Sequence, residues 1–145
     1  MKTIILTLNN FAKQLDNIAL LLVRFVLAYG FYKPAMMKWK DISGIGSWFE
    51  SMGYPFPLLN AYLAGITEVL GVILLAFGLG TRIISVPLLI VMIVAILTVH
   101  FANGFEAGNN GFEIPLYYII MLFVLIAFGP GKFSFDNFLK KNSAN

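Results

Sequence analysis

The sequence predicts an all-α membrane protein: a four-helix transmembrane bundle with an N-terminal amphipathic segment and an interfacial connector between helices 1 and 2. Three observations carry this expectation. The chain has 145 residues, 59% of them hydrophobic and only 12% charged, with a mean hydropathy of +0.85, which is more apolar surface than a soluble domain of this length can bury. Four apolar runs approach the roughly 20 residues needed to cross a bilayer. The ten basic and seven acidic residues lie mostly near the ends of those runs, not in a patch suited to nucleic acid. One membrane domain over 1–145 follows, with the lipid bilayer as its partner and no nucleic acid.

Each element has its own signal. Met1-Lys2-Thr3 followed by Ile4, Ile5 and Leu6 resembles the start of a signal peptide, but the apolar run breaks at Asn9-Asn10 and no small-residue cleavage site follows, so the N-terminus is expected to be retained. Ile4, Leu8, Phe11 and Leu15 recur at helical spacing among polar residues, which predicts an amphipathic helix on the membrane surface. Helix 1 is expected over 17–37. Trp39 to Pro57 then mixes Trp39, Trp48, Phe49, Tyr54 and Phe56 with polar residues, as a connector at the headgroup level does. Helix 2 is expected over 58–79, a tight turn at Gly80-Thr81-Arg82, helix 3 over 83–101, a loop rich in Gly and Asn over 102–113, and helix 4 over 114–128.

The charges set the orientation. One side of the bundle holds both termini and the Arg82 turn, with Lys2, Lys13, Arg82, Lys132, Lys140 and Lys141; the other holds chiefly Lys38 and Lys40 beside Asp41, Glu50, Glu106 and Glu113. Basic residues concentrate on the cytoplasmic side, so the expectation is a multi-pass protein of a bacterial cytoplasmic (inner) membrane with both termini cytoplasmic.

An ionisable group in mid-membrane costs roughly 2.5 to 3.5 kcal/mol on insertion scales and needs a partner or a wet cavity. Arg24, Lys33 and Glu68 are the three such groups. Glu68 has Ala61, Gly65 and Gly71 on its own face, small residues that let a partner helix approach. Arg24 sits roughly 10 Å in from the cytoplasmic side and Glu68 roughly 16 Å, which predicts an Arg24–Glu68 pair. Lys38 follows Arg24 at fourteen residues, hence on nearly the same face, while Lys33 falls on the opposite one and is expected to snorkel to headgroups. His100 ends helix 3 and Glu113 opens helix 4, with Asn103, Asn109 and Asn110 between them, a set able to line the mouth of a cavity descending to Glu68. The competing account makes the charged pair a packing device and has His100 and the asparagines satisfy a loop backbone.

The chain has no cysteine and one histidine, His100, which removes thiol redox chemistry, iron–sulfur ligation by this chain and any metal site built from several of its own histidines; no metal is expected. Aromatic residues make up 15% of the chain and include Phe25, Tyr29, Phe31, Tyr32, Tyr117, Tyr118 and Phe123 within the apolar runs, walls that suit a flat lipophilic ligand such as a quinone head.

The order of these residues resembles the DoxX family of small bacterial membrane proteins, from about Asn17 to Asp136. Arg24 with Lys38, Trp48-Phe49-Glu50-Ser51-Met52-Gly53-Tyr54-Pro55, Thr67-Glu68-Val69-Leu70-Gly71, Gly80-Thr81-Arg82, Val99-His100-Phe101-Ala102-Asn103-Gly104-Phe105, Gly111-Phe112-Glu113-Ile114-Pro115 and Gly129-Pro130-Gly131 carry the resemblance. One departure is Lys33-Pro34-Ala35, where many members have a glycine-containing segment. The resemblance implies a four-helix membrane fold and association with respiratory or sulfur-linked redox proteins.

The expected function is therefore a subunit or accessory of a quinone-linked redox system, with partner redox subunits and no covalently bound cofactor. Arg24, Lys38, Glu68, His100, Asn103 and Glu113 form the expected polar pocket for a quinone or small substrate. A non-enzymatic scaffold or small-solute permease, assembled as a homo-oligomer through its glycine-rich helices, is the alternative.

Overall fold

A computed structural model of the chain describes residues 2–142, without the side chains of residues 2–11, 13 and 14, so the amphipathic sorting expected for the first segment lies outside the described residues. Helices account for nearly all of the described chain, which contains no strand. The first, α1 (Lys2–Lys40), is one uninterrupted helix whose apolar stretch is Leu15–Lys40. Pro34 lies inside it and removes the N–H that would bond to the carbonyl of Gly30, yet the helix continues to Lys40.

The connector is itself helical. In α2 (Ile42–Ser51), Asp41 caps the N-terminus by accepting from the backbone N–H of Gly44 at 2.9 Å. Then α3 (Pro57–Phe77) opens with a proline at its first position and ends at Gly78. Gly78 and Gly80 have φ of +68° and +57°, left-handed conformations that only glycine adopts cheaply, and they turn the chain straight into α4 (Thr81–Ala95). The expected helix over 83–101 thus begins earlier, and it does not stay α-helical: Ile96–His100 widens into a π turn and Phe101–Asn103 tightens into a 3₁₀ turn. After the loop come α5 (Glu113–Phe128) and α6 (Phe135–Asn142), a short helix absent from the sequence reading.

Among the described residues, Leu15–Lys40, Pro57–Phe77 and Thr81–Asn103 are long and apolar enough to cross a membrane, and α5 is apolar but shorter. Their outward faces carry large exposed apolar side chains such as Leu22, Leu70, Ile83 and Phe123, the surface that lipid covers.

The buried faces follow helical spacing: Arg24, Leu27, Ala28, Phe31 and Ala35 on α1; Ala61, Gly65, Glu68, Gly71 and Leu75 on α3. The core proper joins Leu27, Phe31, Leu75, Ile84, Leu88, Leu122 and Leu125. Most of these lie in the half nearest the Gly78–Thr81 turn, here the turn end, while Phe31 sits farther along α1 towards the opposite, loop end, which carries α2 and residues 101–112. Gly71 makes the close packing possible, because a Cβ there would meet the Leu88 methyls at 2.8 Å.

Candidate functional site

Towards the loop end the same helices part. Past Leu88, α4 has no buried residue, and between the loop-end halves of α1, α3, α4 and α5 lies a cavity of about 700 Å³, rimmed by α2 and the loop. Pro87 and the π turn fall on this stretch of α4 and shape the wall that faces the cavity. Phe31, Trp48, Phe49, Met92 and Tyr118 make much of the lining apolar and aromatic.

Lys38 and Glu68 interrupt that lining. The Lys38 ammonium lies 2.9 Å from each carboxylate oxygen of Glu68. This is the one ion pair among the described residues; the Glu68 side chain is 2% exposed and that of Lys38 18%. Helix geometry brings them together. Side chains lean towards the N-terminus of their own helix. Since α1 and α3 are antiparallel, Lys38 leans towards the turn end and Glu68 towards the loop end, and they converge from different heights. The neighbouring Trp39 pins this register: its indole N–H donates to the Gly65 carbonyl at 3.3 Å.

The same geometry corrects the expected Arg24–Glu68 pair. Arg24 leans to the turn end, away from Glu68, and donates through Nη2 to the Phe133 carbonyl. Its guanidinium rests on Gly78, and the acid whose charge acts on it is Asp136. The heights of the two residues were compatible, but their side-chain directions diverge.

His100 lines the cavity, and its Nδ1 lies 2.8 Å from the Asn110 carbonyl. A carbonyl only accepts, so Nδ1 carries a proton and, in the neutral ring, Nε2 is the free acceptor. Asn103 donates to the same carbonyl and to that of Val99, each at 3.2 Å. Glu113 accepts from the Ala107 N–H at 3.0 Å and from the Tyr117 hydroxyl at 2.9 Å. Of the residues singled out in the sequence, Lys38, Glu68, His100 and Asn110 thus border one cavity. Arg24 lies at the turn end, Asn103 and Glu113 hold the loop together without lining the cavity, and Lys33 is exposed on the outer face of α1.

Asn60, Thr67 and Thr98 also line the cavity and were missed. A signal for the first two was present: Asn60, Leu63, Ala64, Thr67 and Glu68 repeat at three- and four-residue spacing, so one face of α3 carries polar groups from its centre to its start.

A helical bundle with an apolar exterior and a polar ion pair in an internal cavity defines the class: an integral membrane protein. Residues 19–101 match the DoxX family model, and the chain belongs to that family. It is 33% identical over 130 residues to an uncharacterised protein of Haemophilus influenzae, covering 87% of this chain and 86% of the relative. A Bacillus subtilis protein, CatD, whose name proposes an oxidoreductase, is 30% identical over 130 residues, covering 89% and 92%. An uncharacterised membrane protein of Mycobacterium tuberculosis is 29% identical over 133 residues, covering 83% and 81%. No solved structure matches significantly.

Proposed function

We propose that this protein is a four-span subunit or accessory of a quinone-linked redox system in the bacterial cytoplasmic membrane, with both termini cytoplasmic. In this reading α5, about 24 Å long at 1.5 Å per residue, is the fourth crossing, its modest shortfall met by local thinning of the bilayer. The basic residues near the turn end support a cytoplasmic position for that end.

The observation that carries the reading is the Lys38–Glu68 pair in the wall of an aromatic cavity of ligand size. Charges are retained inside a membrane at a cost, and an ammonium facing a flat apolar slot is suited to donate to a quinone carbonyl while the ring packs against Phe31 and Tyr118. Glu68 holds the Lys38 side chain in place through both carboxylate oxygens. His100, nearer the loop end, presents Nε2 as a hydrogen-bond acceptor, because its Nδ1 is held by the Asn110 carbonyl. A redox partner supplies the electrons. The name of the Bacillus subtilis relative agrees with chemistry of this kind.

The test is a quinone titration of the purified, folded protein by tryptophan fluorescence, since Trp48 lines the cavity. Parent protein is expected to be quenched saturably. Lys38→Met and Glu68→Gln each weaken binding about tenfold or more, corresponding to roughly 1.4 kcal/mol, and His100→Ala weakens it less, whereas Glu113→Gln leaves it unchanged. A folded parent that binds no quinone removes this reading and leaves the scaffold or permease.

A further inference from the structure

Tyr118 stands between two concavities. On one side is the internal cavity; on the other, at the lipid-facing seam of α1 and α5, is a groove lined by Phe25, Val26, Tyr29, Tyr32 and Lys33. Gly30 and Tyr118 border both. The partition is therefore one ring deep. That ring stands edge-on to Phe31, with centroids 5.3 Å apart, and its hydroxyl end rests on Gly30: a Cβ at that position would lie 1.8 Å from the Tyr118 oxygen. Glycine is what lets the ring close against α1. Pro34, four residues on, gives no N–H to the Gly30 carbonyl, so the backbone under the ring is less tightly bonded than the rest of α1.

Lys33 supplies a second reason to look at this seam. It is exposed, has no acidic partner among the described residues, and lines the groove beside three aromatic rings. A cation amid aromatic rings on a lipid-facing surface suits a molecule with a polar, carbonyl-bearing head and an apolar body.

The geometry points to the α1–α5 groove as a lateral portal through which a flat lipophilic ligand passes between the bilayer and the cavity, with Tyr118 swinging off Gly30 to admit it. This rests on the reading of the cavity as the site of a membrane-dissolved ligand. It adds the route, and it assigns Gly30, Lys33 and Tyr118 to that route.

The chain has no cysteine, so Thr67→Cys in the cavity wall reports access to the interior. In lipid vesicles this variant is reacted either with N-(1-pyrenyl)maleimide, which arrives through the bilayer, or with a membrane-impermeant cationic methanethiosulfonate, which arrives through water. Adding Tyr118→Ala is expected to speed the maleimide reaction about tenfold and to leave the aqueous reaction nearly unchanged. Tyr118→Leu, which keeps apolar bulk on α5 facing α1 but cannot reach Gly30, should do the same and guards against loss of fold. Ile120→Ala, on the exposed face of α5, should change neither rate. Equal acceleration of both reagents, or no acceleration of the maleimide by either Tyr118 variant, overturns the portal. Because no quinone is used, selective acceleration in a protein that binds no quinone keeps the portal and discards only that ligand.

Discussion

The turn end and the loop end of the bundle are made from the same four helices and both contain charged residues, but they use those charges in opposite ways. At the turn end Arg24 and Asp136 are spent on backbone: Arg24 on the Phe133 carbonyl, Asp136 on the Gly80 and Thr81 N–H groups, with Leu27, Leu75, Leu88 and Leu122 packed close by. At the loop end Lys38 and Glu68 bond only each other and border open volume. Tight packing of one half frees the other to be hollow, because in lipid, close contact and internal hydrogen bonds hold helices together in place of burial from water.

The comparison breaks most visibly at the ion pair. Glu68→Met leaves a largely buried ammonium without its counter-charge, and the expected loss is about 3 to 5 kcal/mol. The double variant Lys38→Met, Glu68→Met removes both charges and is expected to lie within about 1 kcal/mol of the parent while binding no quinone. Unfolding in detergent of both single variants and the double checks this. Additive losses would mean that the two charges are not coupled and that each holds its own part of the fold, and the loop end would then be as structural as the turn end.

Leucine truncation sharpens the contrast. Leu75→Ala at the turn end opens a void in a fully buried site and should cost about 2 to 4 kcal/mol. Leu63→Ala, on the same helix but lining the cavity and 54% exposed, should cost less than about 1 kcal/mol. Similar losses at the two sites would show the loop-end half to be close-packed in solution.

Much of this division was legible in the sequence, and the part that was not has a physical reason. The face Ala61, Gly65, Glu68, Gly71 could be read from helical periodicity; Arg24, Lys33 and Glu68 stood out as charges that lipid would not tolerate alone, and Lys38 as a residue on nearly the same face as Arg24. Their pairing could not be read from heights along the helices, because the lean of each side chain decides which neighbour it meets. The cavity was anticipated as a mouth of polar loop residues descending to Glu68 between aromatic walls, without its volume or its full lining. Its volume opens beside the part of α4 beyond Leu88, where no residue is buried, a matter of packing between helices that periodicity does not record. Glu113 looked like a site residue because a carboxylate at a helix start is conspicuous, yet its bonds to Ala107 and Tyr117 are those of a loop brace. α6 escaped notice because it is short and half polar.

The smallest expected effect tests whether the two ends are independent. The N-cap of α4 is Gly80, which has no side chain, so the helix borrows its cap: Asp136 accepts from the Gly80 N–H at 2.8 Å and the Thr81 N–H at 3.3 Å, and returns its own N–H to the Gly78 carbonyl at 3.1 Å. Asp136→Ala should therefore cost about 1 kcal/mol, as loss of an N-cap does, and Asp136→Asn should retain most of the stability. The damage should be local. Amide hydrogen exchange is expected to quicken at Ile83 and Ile84, whose N–H groups bond to the Gly80 carbonyl in the turn that the cap holds. Quinone binding should stay at the parental level, because the cap lies at the far end of α4 from His100. Should Asp136→Ala weaken binding as much as Glu68→Gln does, the C-terminal segment would be coupled to the cavity through α4, and the turn end would belong to the site it is here taken only to support.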